Sequence, residues 1–389
     1  MRNNDYLMDT YSPYDINIVK GEGSYLFDKE NNKYLDMISG IGVNALGYGD
    51  KKVKEISKDI LDKYIHLSNL FRSEEAEELS KKLCKETNFE KVFFCNSGTE
   101  ANEAAFKLAR LYGMQKSKDK RVILSASNGF HGRSLGSLSA TYLNDLNAFC
   151  GVSKKETNCF IYNDIDDFNS KLNENICAVV VEVVQGSGGL NIISEDFYNN
   201  LFKKSKEFEY LIIVDEVQTG VGRTGKLFAH QKFNQKPHII TTAKALGGGF
   251  PLGAMIANKD ICKLFKKGIH GSTFGGNPVA CATGLYTLSK ISNMEFLSEV
   301  NRKGEFLKKE LNKILKKYPL KVKQIRGLGL MQGIVLEESI VADVKEGFLK
   351  SKILVNFVRG NILRLLPPLN MEIEELKIFL KEFENILKK

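Results

Sequence analysis

Tryptophan is absent from the 389 residues, and there are only five histidines, seven prolines and seven cysteines. Each scarcity narrows the chemistry. The histidines form no H-x-x-x-H and no G-x-S-x-G occurs, which argues against zinc-hydrolase and serine-hydrolase sites. The cysteines are dispersed, with no C-x-x-C and no Cys/His cluster of metal spacing. An odd, scattered set of that kind fits reduced thiols in a cytoplasmic protein and no metal centre. Long apolar runs are also missing. The most apolar stretch, Ile176 to Val184, is short and carries Glu182, and the opening MRNNDYLMDT has no apolar core of signal-peptide length. No membrane span or targeting segment is therefore expected. The formal charge of +9 is spread over lysines, densest from Lys308 to Lys323. Leu307, Leu311 and Leu315 fall at helical spacing there, so the lysines read as a solvated helix face. Without interleaved aromatics, nucleic-acid binding is not expected. Attraction of small anionic substrates fits the charge.

What is present is an ordinary globular composition, 43% hydrophobic and 26% charged, on a chain long enough for two subdomains. Tyr25 to Phe27 and Lys33 to Met37 flank a polar turn, as in a hairpin. Helices are expected from Lys51 and from about Ser73. Buried-type strands at Val92–Cys95, Val122–Leu124, Ala178–Val184, Leu211–Val214 and Ile239–Ile240 then alternate with helical patterns, one of them striped by Ala101, Ala104, Ala105, Leu108 and Tyr112. Such alternation predicts an α/β fold with a mostly parallel sheet, whose ligands bind beyond the carboxyl ends of the strands. Asn277-Pro278 opens a helix toward Ile291. Beyond it the texture changes to a lysine-rich helix, short strands near Gly327–Met331 and Ile362–Leu365, and a terminal helix carrying Leu376, Phe379, Leu380, Phe383 and Leu387. The division expected is a large domain over 55–289 and a small α+β domain formed by 1–54 and 290–389.

The unusual residues collect at strand ends. Ile239-Ile240-Thr241 leads to a lone Lys244, followed by Gly247, Gly248 and Gly249. A lysine just past a buried strand loses hydration for its ammonium, so its pKa falls and it can serve as an amine nucleophile; the plainer reading is a surface lysine before a glycine loop. Asp215 ends the strand Leu211–Val214, where a carboxylate is costly without a cationic partner. It is either a turn residue or the partner of a protonated ring nitrogen. Ser97-Gly98-Thr99-Glu100 is a capping box, and its glycine also opens the helix amides to an anion. Phe130-His131-Gly132-Arg133 offers an aromatic and an arginine suited to a carboxylate, while His131 reads as a hydrogen-bonded structural histidine. Gly220 to Gly225 spells G-x-G-x-x-G, but no helix follows it directly, and it is assigned to a loop.

An anion seat, an amine, a carboxylate for a ring nitrogen, an aromatic and an arginine form a coherent set. The motifs Asn96-Ser97-Gly98-Thr99-Glu100-Ala101-Asn102-Glu103, Phe130-His131-Gly132-Arg133, Asp215-Glu216-Val217-Gln218-Thr219-Gly220, Lys244-Ala245-Leu246-Gly247-Gly248-Gly249 and Gly271-Ser272-Thr273-Phe274-Gly275-Gly276-Asn277-Pro278 resemble those of the class III pyridoxal-phosphate-dependent aminotransferases, in family order. The resemblance implies a fold type I enzyme with a seven-stranded-type sheet, using pyridoxal 5'-phosphate. It implies that Lys244 holds the cofactor as a Schiff base and moves the substrate proton, with Asp215 on the ring nitrogen. Ser97, Gly98 and Thr99 would hold the phosphate, joined by Thr273 from the neighbouring subunit of a homodimer. Phe130 and Val217 would pack on the two ring faces, Gln218 would reach the ring hydroxyl, and Glu216 belongs to the same cofactor set. Arg133, Ser272, Arg364 and Glu182 would serve the substrate.

Within the family the resemblance points first to acetylornithine as amino donor, with 2-oxoglutarate as acceptor, in arginine biosynthesis. Ornithine, 4-aminobutyrate and succinyldiaminopimelate are the other donors implied, and a same-fold aminomutase is a further alternative. One departure bears on that choice. The family usually has Glu-Pro-Val-Gln-Gly-Glu-Gly-Gly where this chain reads Glu182-Val183-Val184-Gln185-Gly186-Ser187-Gly188-Gly189. Ser187 cannot neutralise Arg364, so an unmasked Arg364 is expected.

Overall fold

The run from Ile176 to Val181 is buried at all six positions, which a strand achieves only when both faces of its sheet are covered. In the computed structural model, which describes residues 6–142 and 156–389, it lies inside a central sheet. Among the described residues that sheet has seven strands, in the order Lys91–Cys95, Gly253–Ala257, Ile239–Thr242, Leu211–Asp215, Ile176–Val181, Val122–Ala126 and Thr157–Phe160. The last five pair in parallel. Gly253–Ala257 runs antiparallel to both its neighbours. The sheet is thus mostly parallel, as the alternation of patterns predicts. Two of its strands, Thr157–Phe160 and Gly253–Ala257, are not legible in the sequence. The second follows three glycines and a proline and is short, with three of its five residues glycine or alanine, yet pairing on both sides buries all five positions.

The helix Gly98–Met114 turns its small stripe inward, with Ala101, Ala104, Ala105, Leu108 and Ala109 buried against the sheet. The helix Glu74–Thr87 starts at Ser73, whose side chain accepts from Ala76 N. The lysine-rich helix runs Met294–Lys317 with Leu307 and Leu311 buried. The short strands expected near Gly327–Met331 are the two arms of a hairpin, Val322–Leu328 and Met331–Leu336, and that stretch holds their ends and the turn between them. Gly327 and Gly329 take φ of 112° and 54° there, a conformation glycine adopts without a Cβ penalty. Ile362–Leu365 pairs with the second arm of that hairpin. Near the N-terminus, Ile18–Glu22, Tyr25–Asp28 and Lys33–Asp36 form a sheet with Ile353–Leu354. The expected boundaries at 54/55 and 289/290 both fall inside continuous helices, Lys51–Leu61 and Pro278–Ile291.

Candidate active site

Strand ends bring the chemistry together. Asp215 is the last residue of its strand and 3% exposed. Its Oδ2 accepts from Asn102 Nδ2 at 2.8 Å and lies 2.8 Å from His131 Nδ1, while its Oδ1 accepts from Val217 N at 3.0 Å. Asn102 also donates to the His131 carbonyl at 2.7 Å and accepts from Thr241 Oγ1 at 2.7 Å. The carboxylate is therefore fixed by a network, with lone pairs left for a further partner. Burial pulls the His131 pKa down, but the hydrogen bond and charge of Asp215 more than offset it, and the net direction is upward. His131 Nε2 has no hydrogen-bond partner among the described residues.

Lys244 stands in a short turn, Lys244–Gly247, just after the strand Ile239–Thr242. Its φ of 48° is left-handed, a strained state for a residue with a long side chain and a recurrent mark of functional positions. Burial and then the charge of Arg364 push its amine down to about 8, against the opposing pull of Asp215 and Glu182. At pH 7 roughly a tenth of such amines are neutral, against a few in ten thousand for an ordinary lysine. That makes it a usable nucleophile and base.

The helix start at Gly98 is capped by Ser97 and has the features of an anion seat. Ser97 Oγ accepts from Glu100 N at 3.3 Å, and Glu100 reaches back to Asn96 N at 2.6 Å. First-turn amides have no intrahelical acceptor and face the positive end of the helix dipole. A Cβ at Gly98 would come within 2.6 Å of Val217 Cγ1, and one at Gly132 within 2.1 Å of Thr99 Oγ1. Glycine at both keeps this corner open.

These groups line one cavity of about 480 Å³ that includes Ser97, Gly98, Thr99, Phe130, Arg133, Glu182, Asp215, Val217, Gln218 and Lys244. The Arg133 guanidinium lies 5.6 Å from the centre of the Phe130 ring. Glu182 accepts from Phe130 N at 3.1 Å and Gly186 N at 3.3 Å, and burial raises its carboxyl to about 7. Ser187, Asn102 and His131 line the same cavity. Asn102, one of the two side chains that fix Asp215, is what sequence reasoning missed; the other, His131, is the hydrogen-bonded structural histidine expected, with Asp215 as the partner the sequence did not show. The signal was present, since both sit inside the quoted motifs.

Four expected residues are not brought to the cavity wall. Glu216 is turned into the protein, where its carboxylate accepts from Ala229 N at 3.0 Å and His230 N at 2.8 Å; strand residues one apart point to opposite faces, so Asp215 and Glu216 diverge. Ser272 Oγ accepts from Asn96 Nδ2 at 3.2 Å and from Gly275 N at 3.0 Å. Thr273 is exposed on the surface. Arg364 stands one layer behind the wall; it has no ion pair among the described residues, as expected, but its hydrogens are taken up. Asn356 Oδ1 accepts from its Nε at 3.1 Å and from its Nη2 at 2.5 Å, while Nη1 donates to the Gly186 carbonyl at 3.0 Å and Gln218 Oε1 at 3.3 Å. A neutral amide from the neighbouring strand thus occupies the guanidinium.

An anion seat, a lysine of lowered pKa and a fixed buried carboxylate around one cavity fit the phosphate, aldehyde and ring nitrogen of pyridoxal 5'-phosphate. The glycine-kept corner at Gly98 and Gly132 is on the phosphate side of that fit.

Comparison with known proteins agrees. The Aminotransferase class-III family profile matches residues 6–387. An acetylornithine aminotransferase of Aquifex aeolicus is 42% identical over 98% of this chain and 100% of its own length. That of Caldanaerobacter subterraneus subsp. tengcongensis is 41% identical over 98% and 97%. Among solved structures, an ornithine aminotransferase from Toxoplasma gondii ME49 superposes with a TM-score of 0.93 at 26% identity, covering 98% of this chain and 92% of that one. An N-acetylornithine aminotransferase from Stenotrophomonas maltophilia K279a gives 0.84 at 30% identity, covering 97% of each.

Proposed function

The chain belongs to the class-III aminotransferases, and from that premise we propose that it moves the terminal amino group of N2-acetylornithine to 2-oxoglutarate. The products are N-acetylglutamate 5-semialdehyde and glutamate, in a step of arginine biosynthesis. The enzyme depends on pyridoxal 5'-phosphate. The observation that carries the donor assignment is the 40–42% identity to acetylornithine aminotransferases over nearly their full length, against 26% for the ornithine enzyme of nearly identical fold.

The cofactor, when bound, supplies an aldehyde that captures amines and a protonated ring that draws electrons from the substrate carbon. The chain's own residues do the rest. Ser97, Gly98 and Thr99 hold the phosphate at the helix start. Asp215, kept in place by His131, Asn102 and Val217 N, keeps the proton on the ring nitrogen. Phe130 and Val217, which line the cavity with Gln218, would pack on the two faces of the ring, and Gln218 would reach its hydroxyl. Lys244 holds the cofactor between turnovers. Its neutral Nζ, with a pKa of about 8, would be the group that takes the proton from the carbon bearing the substrate's amine and gives it back as the acid. Arg133, over Phe130, binds the donor carboxylate. The oxo-acid then takes the same path in reverse, a ping-pong exchange.

The working unit we propose is a homodimer with shared sites, located in the cytoplasm. Ile65, Leu70, Phe71 and Phe274 are 71%, 88%, 68% and 59% exposed, an apolar patch of the sort that marks an interface. Asn69 Nδ2 donates to the Ser272 carbonyl at 3.0 Å and Asn277 Nδ2 to the Ile65 carbonyl at 3.1 Å. That ties the patch to the loop of Thr273. The six described cysteines are free thiols. The large and small domains proposed from sequence have a continuous helix at each junction.

A screen of amino donors against 2-oxoglutarate tests the assignment. Acetylornithine should give the highest kcat/KM; a higher value for ornithine, 4-aminobutyrate or succinyldiaminopimelate would reassign the donor.

A further inference from the structure

We propose that Glu103 is a positioning residue for Arg133. By holding the segment that carries Arg133 against the helix of the anion seat, it sets the affinity for the donor's carboxylate. The inference rests on the assignment of Arg133 to that carboxylate made above. Glu103 and Ser134 are themselves outside the cavity wall, whereas Thr99 and Arg133 are in it.

Three residues on one face of the helix Gly98–Met114 reach the segment 131–137. Thr99, Asn102 and Glu103 stand at i, i+3 and i+4, the spacing that sets helix side chains next to one another. Asn102 Nδ2 donates to the His131 carbonyl at 2.7 Å, on one side of Arg133. On the other side Glu103 Oε1 accepts from Ser134 Oγ at 2.6 Å and from Ser137 N at 2.8 Å. Ser137 lies in the short helix Leu135–Ser139, and its Oγ donates to the Thr99 carbonyl at 3.1 Å. Arg133 is thus held by its backbone on both sides. Beyond its contact with Phe130, its guanidinium has no hydrogen-bond or ion-pair partner among the described residues. The root is fixed and the tip is free, the arrangement that recognition of a carboxylate needs.

The hydroxyls between helix and segment have a fixed direction. A carboxylate can only accept, so Ser134 spends its one O–H on Glu103. Thr99 Oγ1 lies 2.7 Å from Ser134 Oγ, and its own O–H is then the donor of that bond. The relay runs from Thr99 through Ser134 to Glu103. It commits the Thr99 hydroxyl to the arginine segment and leaves its first-turn amide for the phosphate. Glycines allow the close approach. A Cβ at Gly136 would meet Glu103 Oε2 at 2.4 Å, as one at Gly132 would meet Thr99 Oγ1 at 2.1 Å. Gly136 is not in the cavity wall, so its smallness serves the carboxylate of Glu103 and not a ligand.

The test is steady-state kinetics of the cofactor-loaded enzyme with N2-acetylornithine and 2-oxoglutarate. It compares the parent with Glu103→Ala, Glu103→Gln, Ser134→Ala, Arg133→Ala and the double variant Arg133→Ala/Glu103→Ala. Glu103→Ala should raise KM for acetylornithine at least about fivefold with kcat changed less than about twofold, the sign of lost uniform binding. Its cofactor dissociation constant, from absorbance titration, should stay within about twofold of the parent's, because the first-turn amides are untouched. Both hydrogen bonds end on one oxygen, so Glu103→Gln should keep the parental KM. Ser134→Ala breaks one of the two and should raise KM less; it carries the test if Glu103→Ala does not fold. In the Arg133→Ala background Glu103→Ala should add nothing, since a residue that acts through another has no effect once that one is gone. Additive effects would overturn this inference and leave the Arg133 assignment standing. So would a parental KM in both Glu103→Ala and Ser134→Ala, or a Glu103→Gln as impaired as Glu103→Ala. A parental KM in Arg133→Ala would overturn the assignment of Arg133 itself, and this inference with it.

Discussion

Replacing Lys244 by methionine should make the cofactor-free protein more stable. The native amine sits near 8 where an ordinary lysine sits at 10.5, first because burial strips its hydration and then because Arg364 is close. A difference of that size corresponds to about 3 kcal/mol against the folded state at pH 7. Contact of the half-buried side chain with cavity water reduces it to about 2 kcal/mol. Between pH 8 and 10.5 the unfolded chain keeps a proton that the folded chain has released, so native stability rises with pH across that window. Below about pH 8 the full handicap is present; above about 10.5 it is gone. Methionine keeps a similar apolar stem without the charge. Urea unfolding of both cofactor-free proteins, at one protein concentration because assembly also stabilises, should give Lys244→Met an advantage of about 2 kcal/mol at pH 7 that fades by about pH 10.5. A less stable variant at pH 7, or an advantage unchanged by pH, would refute the reasoning.

Further outcomes follow from the same geometry. Asp215→Asn should lower kcat by at least about a hundredfold, the scale of losing one placed electrostatic group, with the cofactor still loaded by absorbance; a loss under tenfold would remove Asp215 from its role. Mixing inactive Lys244→Ala with inactive Thr273→Ala subunits should restore part of the activity, because a mixed dimer has one site with neither lesion. No recovery despite demonstrated exchange would count against shared sites. Asn356→Asp, and likewise Ser187→Glu, should place a carboxylate beside Arg364. Single-turnover rates should then fall more for the 2-oxoglutarate half-reaction, whose second carboxylate calls for a cation besides Arg133, than for the acetylornithine half; equal losses would mean that Arg364 is not that cation.

Much of the site is legible in the sequence because its residues lie next to the strand ends that carry them. Lys244 follows a β-branched run, Asp215 closes an apolar one, and Ser97-Gly98-Thr99 joins a strand to a helix. Local pattern therefore gives both element and position. What escapes is non-local or depends on the pleat. Asn356 meets Arg364 only because their strands pair in antiparallel register, and no spacing along the chain shows it. Glu216 adjoins Asp215 in the motif, but strand alternation sends it to the other side. Gly253–Ala257 is a strand because two neighbours hold it, and strand propensity is mostly context of this sort. The Ser187 departure shows the same limit. From sequence it leaves Arg364 bare, while in the fold an asparagine from another strand satisfies it.

The central claim is that Lys244 holds the cofactor, and covalent trapping tests it most directly. The protein reconstituted with pyridoxal 5'-phosphate is treated with borohydride, digested, and its phosphopyridoxyl peptides mapped by mass spectrometry. The account predicts one dominant modified residue, Lys244, and loss of that label in Lys244→Ala. A dominant label on any other lysine would contradict it.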